Sequence, residues 1–462
     1  MTSPETVTAK EQRHPSYPTY KDSGVEWLGE IPGHWNCKPL KHAVEIDPET
    51  LSGKTDPSYK LAYVDISSVN SIGDIEEPVE YTFENAPSRA RKIVRDGDTI
   101  ISTVRTYLRA IAYIEDPPPN LVVSTGFAVL RPRDNVNKDF LGSLIGSKHF
   151  VDSAVSHSEG VGYPAISTST LGNLPVWLPP LPEQCAIAAF LDRETEKIDA
   201  LIEKKQRLIE RLEEKRTALI SHTVTKGLDP DAEMKDSGVE WIGEIPVGWD
   251  TVKLKYLSKI ENSGEWGEDD RNCEDPIPVI TTADISKQSV LDASSVRLRC
   301  LSKSQIAYYL CEHGDILVVK SSGSKENVSS GKAVFIKEGG KYGFSNFLTR
   351  IRPSVSVESK FLFYQIKSNF VKQRVLRMVS TTTYPNIKMD EYVNMEMPFP
   401  SLKEQRAIIE FLDREMEGID TLIGKVRDGV SRLQEYRTAL ISAAVTGQID
   451  VRDAVSPAEV NA

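Results

Sequence analysis

Lys21–Trp35 reads KDSGVEWLGEIPGHW, and Lys235–Trp249 reads KDSGVEWIGEIPVGW. A phrase this long, written twice 214 residues apart (21 to 235), marks an internal duplication, and a repeat of this kind has to be recognised before any domain is assigned. A longer echo supports it. Glu183–Ser221 (EQCAIAAFLDRETEKIDALIEKKQRLIERLEEKRTALIS) matches Glu404–Ser442 (EQRAIIEFLDREMEGIDTLIGKVRDGVSRLQEYRTALIS) at roughly six positions in ten. Here the offset is 221 (183 to 404), so the halves differ in length between the two landmarks. Weaker echoes lie between them: YVDIS with TADIS, RDGDTIIS with EHGDILVV, VLRPR with RIRPS, and GYPAIS with TYPNIK. Two copies of one scaffold with different surfaces give this pattern.

The chain has 462 residues, 39% of them hydrophobic, which predicts several ordinary globular domains. No run of about 18 apolar residues could cross a bilayer, and the polar start MTSPETVTAKEQRHPSYPTY lacks the apolar core of a secretory signal, so a cytoplasmic location is expected. Cys37, Cys185, Cys273, Cys300 and Cys311 never form a C-x-x-C pair, which points to reduced, buried or incidental thiols and to no metal site. The net charge of −11 excludes a protein that coats nucleic acid with its whole surface. A local basic face remains compatible with it.

The echoed helices are the clearest elements. Ser401 and Glu404 have the spacing of a capping box, and Pro182 suits a first helical turn. Ile419, Val426, Leu433 and Leu440 recur every seven residues, with Leu422 and Tyr436 as the companion positions. Ile198, Leu212 and Leu219, with Leu201 and Leu208, repeat that seam in the first copy, interrupted by Lys205 and Lys215. Packing on a neighbouring domain is the competing explanation of each stripe, but two similar stripes favour helices that pair with each other. β-rich runs such as KLAYVDISSV, DTIISTV, IPVITTADI and DILVVKSS, with the helical KDFLGSLIGSKHFVDSAV and SKFLFYQIKSNFVKQRVLRMV, make each intervening segment α+β.

The predicted fold class is therefore mixed α/β: two globular α+β domains alternating with two long helices that pair as an antiparallel coiled coil, a pseudo-two-fold internal repeat. The boundaries are an extension at 1–20, a first domain at 21–181, a first helix at 182–226, a second domain at 227–400, a second helix at 401–450 and a tail at 451–462. A helix of about 40 residues is about 60 Å long. Antiparallel pairing would throw the two domains apart, a geometry suited to two separated patches on duplex DNA.

KDSGVEWIGEIPVGW, the helix starts LPPLPEQCAIAAFLD and FPSLKEQRAIIEFLD, and the helix ends RTALISHTVTKG and RTALISAAVTGQID closely resemble the specificity subunit of type I restriction-modification systems over nearly the whole chain. The resemblance implies a non-catalytic DNA-reading subunit whose two target recognition domains each read half of a bipartite site, with the spacing set by the helices. It implies two partner adenine-N6 methyltransferase subunits using S-adenosylmethionine, and restriction subunits that use ATP and Mg to translocate and cut DNA. The chain itself would bind no cofactor and no metal.

Arg297–Arg377 holds 15 Lys or Arg against 5 Asp or Glu, and Arg89–Val155 holds 10 against 7, so the second domain carries the stronger basic footprint. The candidate DNA contacts lie in loops after strands: Arg105, Tyr107 and Arg109 in STVRTYLR, and Lys320, Ser322, Ser324, Lys325 and Asn327 in VVKSSGSKENVSSGK. Arginine can bond guanine bidentately and asparagine adenine, whereas lysine and serine more often position on phosphate. A second loop pair, where the family carries a polar turn before proline, offers His157, Ser158 and Tyr163, and Thr381, Thr383, Tyr384 and Asn386. A purely structural turn fixed by Pro164 and Pro385 explains that pair equally well. Trp27, Trp35, Trp241 and Trp249 read as clamps joining each domain to a helix end.

Enzymatic signatures are missing. Asp116–Pro119 lacks the aromatic residue of an adenine methyltransferase motif, Ser330–Ala333 lacks the glycine and hydroxyl spacing of a phosphate loop, and the histidines form no metal-binding helix face. A self-sufficient methyltransferase or nuclease, and a coiled-coil scaffold without DNA function, are the rival readings.

Overall fold

The computed structural model describes residues 14–70, 73–160, 162–261, 263–269, 275–286, 288–321, 330–379 and 386–455. The chain divides into two compact units, one made of residues 1–205 with 428–462 and the other of residues 206–427. Each of the two long helices, Leu181–Lys226 and Leu402–Val445, contributes one segment to each unit.

In the first unit an antiparallel sheet runs in the order Val44–Ile46, Phe127–Pro132, Thr99–Ser102, Ile111–Tyr113. The second unit repeats that order with Ser258–Glu261, Leu348–Pro353, Ile316–Val319 and Ala333–Phe335. A second sheet in each unit contains a parallel pair, Lys60–Val64 with Leu121–Ser124 and Ile277–Ile280 with Gly343–Phe344. The central strands are buried on both faces, matching the apolar run ILVV in the second unit and the Ile100–Ile101 pair, flanked by buried Thr99 and Ser102, in the first. Both units are α+β, as the sequence predicts.

The weak echoes become intelligible here. Asp98 and Asp315, each 1% exposed, receive two hydrogen bonds from Arg131 (2.9 and 2.8 Å) and Arg352 (both 2.8 Å) respectively. Each aspartate also accepts a turn N–H, from Arg95 or Glu312 (2.8 and 2.7 Å). The repeated G-D and R-P elements thus write one bidentate ion pair across neighbouring strands of one sheet.

The predicted helix over KDFLGSLIGSKHFVDSAV is two helices, Lys138–Gly146 and Lys148–Ser156. Ser147 leaves helical geometry (ψ 146°), and its hydroxyl caps Phe150 N–H. Ser368 breaks the second copy at the same place, between Ser359–Lys367 and Asn369–Met378.

Within the first unit, Arg437 Nε donates to Asp199 (3.0 and 3.2 Å) and Lys205 lies against Gly429, so the helical segments run antiparallel. Within the second, Arg216 pairs with Asp420 and Arg427 with Glu213 (3.6 Å), again antiparallel. Asp199 and Asp420, and Arg216 and Arg437, occupy equivalent repeat positions.

The seam corrects the sequence reading at one set of positions. Ile198, Ile419 and Leu440 are buried, and Leu212, Leu219, Val426 and Leu433 are half-buried, as expected of pairing residues. Leu201, Leu208, Leu422 and Tyr436 instead face outward, 43–50% exposed. The companions lie four residues on: Ile202, Ile209 and Ile423 pack inward, with Arg216 and Arg437 in the same stripe. Arginine there lays its methylenes along the seam and keeps its charge at the edge, so the apolar pattern alone selected the wrong neighbour.

The duplicated phrase forms the same anchor in both units. Asp22 and Asp236 accept from Gly24 and Gly238 N–H (2.8 and 2.9 Å), turning each hairpin. Trp35 and Trp249 are fully buried, and their indole N–H groups donate to Glu183 (2.9 Å) and Glu404 (3.1 Å) in the first turn of a long helix. Each also packs on the glycine ending the other long helix, Gly447 (φ +73°) and Gly227 (φ +80°), where only glycine takes the left-handed cap freely. Trp27 is 40% exposed and Trp241 half-buried, so they anchor less than their partners. Ser401 and Glu404 form the expected capping box (3.3 and 3.2 Å).

Candidate nucleic-acid interface

In the first unit, the strand Thr99–Ser102 runs out into the first candidate loop. Ile166 N–H donates to Thr103 (2.8 Å), Val104 bridges Ala165, and Arg105 N–H donates to Pro164 (2.8 Å). The two loops singled out in the sequence therefore form one platform, and the Pro164 turn is both structural and part of it.

On that platform, Thr106–Leu108 is one 3₁₀ turn flanked by two left-handed arginines, Arg105 (φ 51°) and Arg109 (φ 54°). Non-glycine residues pay about 1 kcal/mol or more for that conformation. Thr106 and Ser158 share a 2.8 Å hydroxyl bond, and Ser158 donates to Ala154 (2.9 Å). The exposed His157 ring sits 2.8 Å from the Ser153 carbonyl. Arg109 pairs with Asp152 (2.8 Å), which also holds Lys148. The Arg105 guanidinium lies 4.9 Å over the ring of Tyr163, itself 68% exposed. Tyr107 (52%) and Leu108 (42%) project from the tip. The structure thus gathers Arg105, Tyr107, Arg109, His157, Ser158 and Tyr163 into one region.

The second unit repeats the lacing. Lys320 N–H donates to Phe347 (3.0 Å), Ile387 N–H donates to Lys320 (2.9 Å), and Ser321 bridges Asn386. Burial holds the Lys320 amine below the ordinary lysine range. Ser322, Ser324, Lys325, Asn327, Thr381, Thr383 and Tyr384 lie outside the described residues.

The model of the type I restriction modification DNA specificity domain matches this chain twice, over residues 33–211 and 246–428. The chain belongs to the type I restriction-modification DNA specificity family. It is 23% identical over 441 residues to the putative type I restriction enzyme MjaX specificity subunit of Methanocaldococcus jannaschii, covering 92% of this chain and 96% of that one. It is 26% identical over 306 residues to the MjaVIII specificity subunit of the same organism, 64% of this chain and 67% of the relative. A solved structure concerned with complex assembly and conformational transition of the type I R-M system shares the fold, with TM-score 0.68 and 24% identity over 91% of this chain and 99% of the other. Specificity subunits are the DNA-recognition components of these systems and not their catalysts, the class expected from the sequence.

The basic count in this specificity subunit overstates the charge available to DNA. Between Arg297 and Arg377, Arg299 pairs with Asp269, Lys341 with Glu338 (3.1 Å), Arg352 with Asp315, and Lys360 with Asp413 (2.5 Å). Arg350 is 4% exposed and donates to the Leu310 carbonyl (3.1 Å). Much of the run is structural pairing that the composition could not distinguish from a surface. Sequence reasoning also missed Leu108, Thr106 and Asp152, and missed Phe347 and Trp266, an exposed edge-to-face pair 6.4 Å apart next to Lys320. A solvent-facing apolar residue within a loop was the available signal for Leu108; none existed for the others.

Among the described residues no group of His, Cys, Asp or Glu is placed to hold a metal ion, and no helix is long and apolar enough to cross a membrane. Cys311 is buried, which pushes its thiol up to about 12. Cys37, Cys185 and Cys300 are half-buried and outside any disulfide, and Cys273 lies outside the described residues.

Proposed function

We propose that this specificity subunit reads a bipartite target in double-stranded DNA, one half-site for each recognition domain. One observation supports the reading: at the same strand end in both units the two loop roots are laced by matching backbone contacts, Ile166 to Thr103 with the Val104–Ala165 bridge and Ile387 to Lys320 with the Ser321–Asn386 bridge, while the sequences of the loops that leave these roots differ. A duplicated scaffold with divergent tips fits two unlike half-sites better than one symmetric one.

The recognition domains span 21–181 and 227–400, with helical spacers at 182–226 and 401–450. In the first half-site Arg105, Tyr107, His157 and Tyr163 face the duplex, while Arg109 and Ser158 hold the platform through Asp152 and Thr106. In the second, Lys320, Asn386 and their loop neighbours do so. Base edges confer sequence preference, and lysine on phosphate supplies affinity that falls with salt.

The reaction belongs to the partners. Two methyltransferase subunits recruited through the helices use S-adenosylmethionine to methylate adenine N6, and restriction subunits using ATP and Mg translocate and cut, all in the cytoplasm. The test is genome-wide mapping of N6-methyladenine in one host, with the methyltransferase expressed with and without this chain. A split motif that appears only with the chain is the expected result. An unchanged methylation pattern contradicts the proposal.

A further inference from the structure

We infer that Arg105 reads a guanine in the first half-site, its guanidinium presented edge-on by the ring of Tyr163. The inference rests on the proposed DNA reading and assigns one base to one residue within it.

Two arginines flank the same turn with nearly equal backbone angles, yet their side chains are engaged differently. Arg109 is held by the Asp152 carboxylate, which Lys148 also approaches. Arg105 has no acidic partner among the described residues, and its guanidinium lies over the ring of Tyr163 at 4.9 Å. A guanidinium held over a ring by cation–π attraction keeps its N–H groups open to a further acceptor. A planar fork with a free edge matches guanine O6 and N7, whereas a phosphate contact needs charge and no fixed plane.

The backbone supports the same assignment. Arg105 is kept left-handed by its N–H bond to Pro164 and by the Val104–Ala165 bridge, so the loop carrying Tyr163 also sets the root of the arginine. Strain retained at an exposed arginine, beside an exposed aromatic ring, is the signature of a group held ready for a ligand. The equivalent stretch of the second unit, VVKSSGSK, contains no arginine, so the inference concerns the first half-site.

The experiment uses the full complex. The chain is expressed with its methyltransferase partner in a host lacking other adenine methylation, and the methylated motif is read from genomic DNA. The variants are Arg105→Lys, Tyr163→Ala and, as a control at the opposite end of the strands, beside Glu45, Arg133→Lys. Arg105→Lys is expected to lower the preference for G at one position of one half-site by about tenfold or more. Tyr163→Ala relaxes the same position less strongly, and Arg133→Lys leaves the motif as it is. The unaltered second half-site reports that each variant is folded.

Three results overturn the inference while leaving the specificity-subunit reading intact. They are a wild-type half-site without a G·C pair, an even fall in methylation at all sites with an unchanged motif, and relaxation at positions that Arg105 and Tyr163 do not share. A wild-type chain that directs no methylation removes the reading and the inference together.

Discussion

Trp35 and Trp249 each close a junction where the start of one long helix meets the end of the other, and each does so through one N–H bond to a glutamate. Truncating Trp35 to alanine empties a fully buried site and leaves Glu183, 6% exposed, without that donor. A loss of about 3–5 kcal/mol in urea unfolding is expected. The buried Arg131–Asp98 pair predicts a similar size by a different route. Arg131→Met leaves Asp98 buried and uncompensated and costs about 3–5 kcal/mol, whereas replacing both residues with apolar ones is far milder. A single variant as mild as the double would show that the pair carries no such strain. The anchors were legible in the sequence, because a tryptophan in a duplicated phrase has little else to do. The pairing of Asp98 with Arg131 was not, because four echoed residues say nothing of their partners across a sheet.

The helical seam is the feature of element scale. Ile423 is 4% exposed and Leu422 is 50% exposed, although both fit an apolar stripe. Ile423→Ala should cost about 2–5 kcal/mol and Leu422→Ala less than about 0.5, measured by denaturant midpoint. The heptad was readable and its companion position was not, since arginines at 216 and 437 occupy the seam where apolar residues were sought. A second element, the helix Ser359–Lys367, ends beside a cavity of about 1100 Å³ in the second unit. Burial, with Arg216 nearby, pushes the Lys367 amine down to about 8. In the unfolded chain its pKa returns to about 10.4. Between those values the unfolded state holds the extra proton, so stability rises with pH through that window. Lys367→Met should therefore stabilise the protein at pH 7, with the advantage shrinking as pH rises from about 8 to 10.4. An equal gain at all pH values would contradict the assigned cause.

For the molecule as a whole, duplication was legible because two helices and two anchors must satisfy the same packing twice. The proposed reading surface was legible only as a pair of loops, because contacts to a base would impose no periodicity on the sequence and a basic count mixes buried ion pairs with exposed charge. What the duplication means is tested most directly by the N6-methyladenine motif that this chain directs in a defined host. The account predicts two short words at a constant separation, present only with the chain, and altered in one word alone when the tips of the first platform are exchanged for those of another member of the family. A single contiguous word, or both words changing together after that exchange, would contradict it.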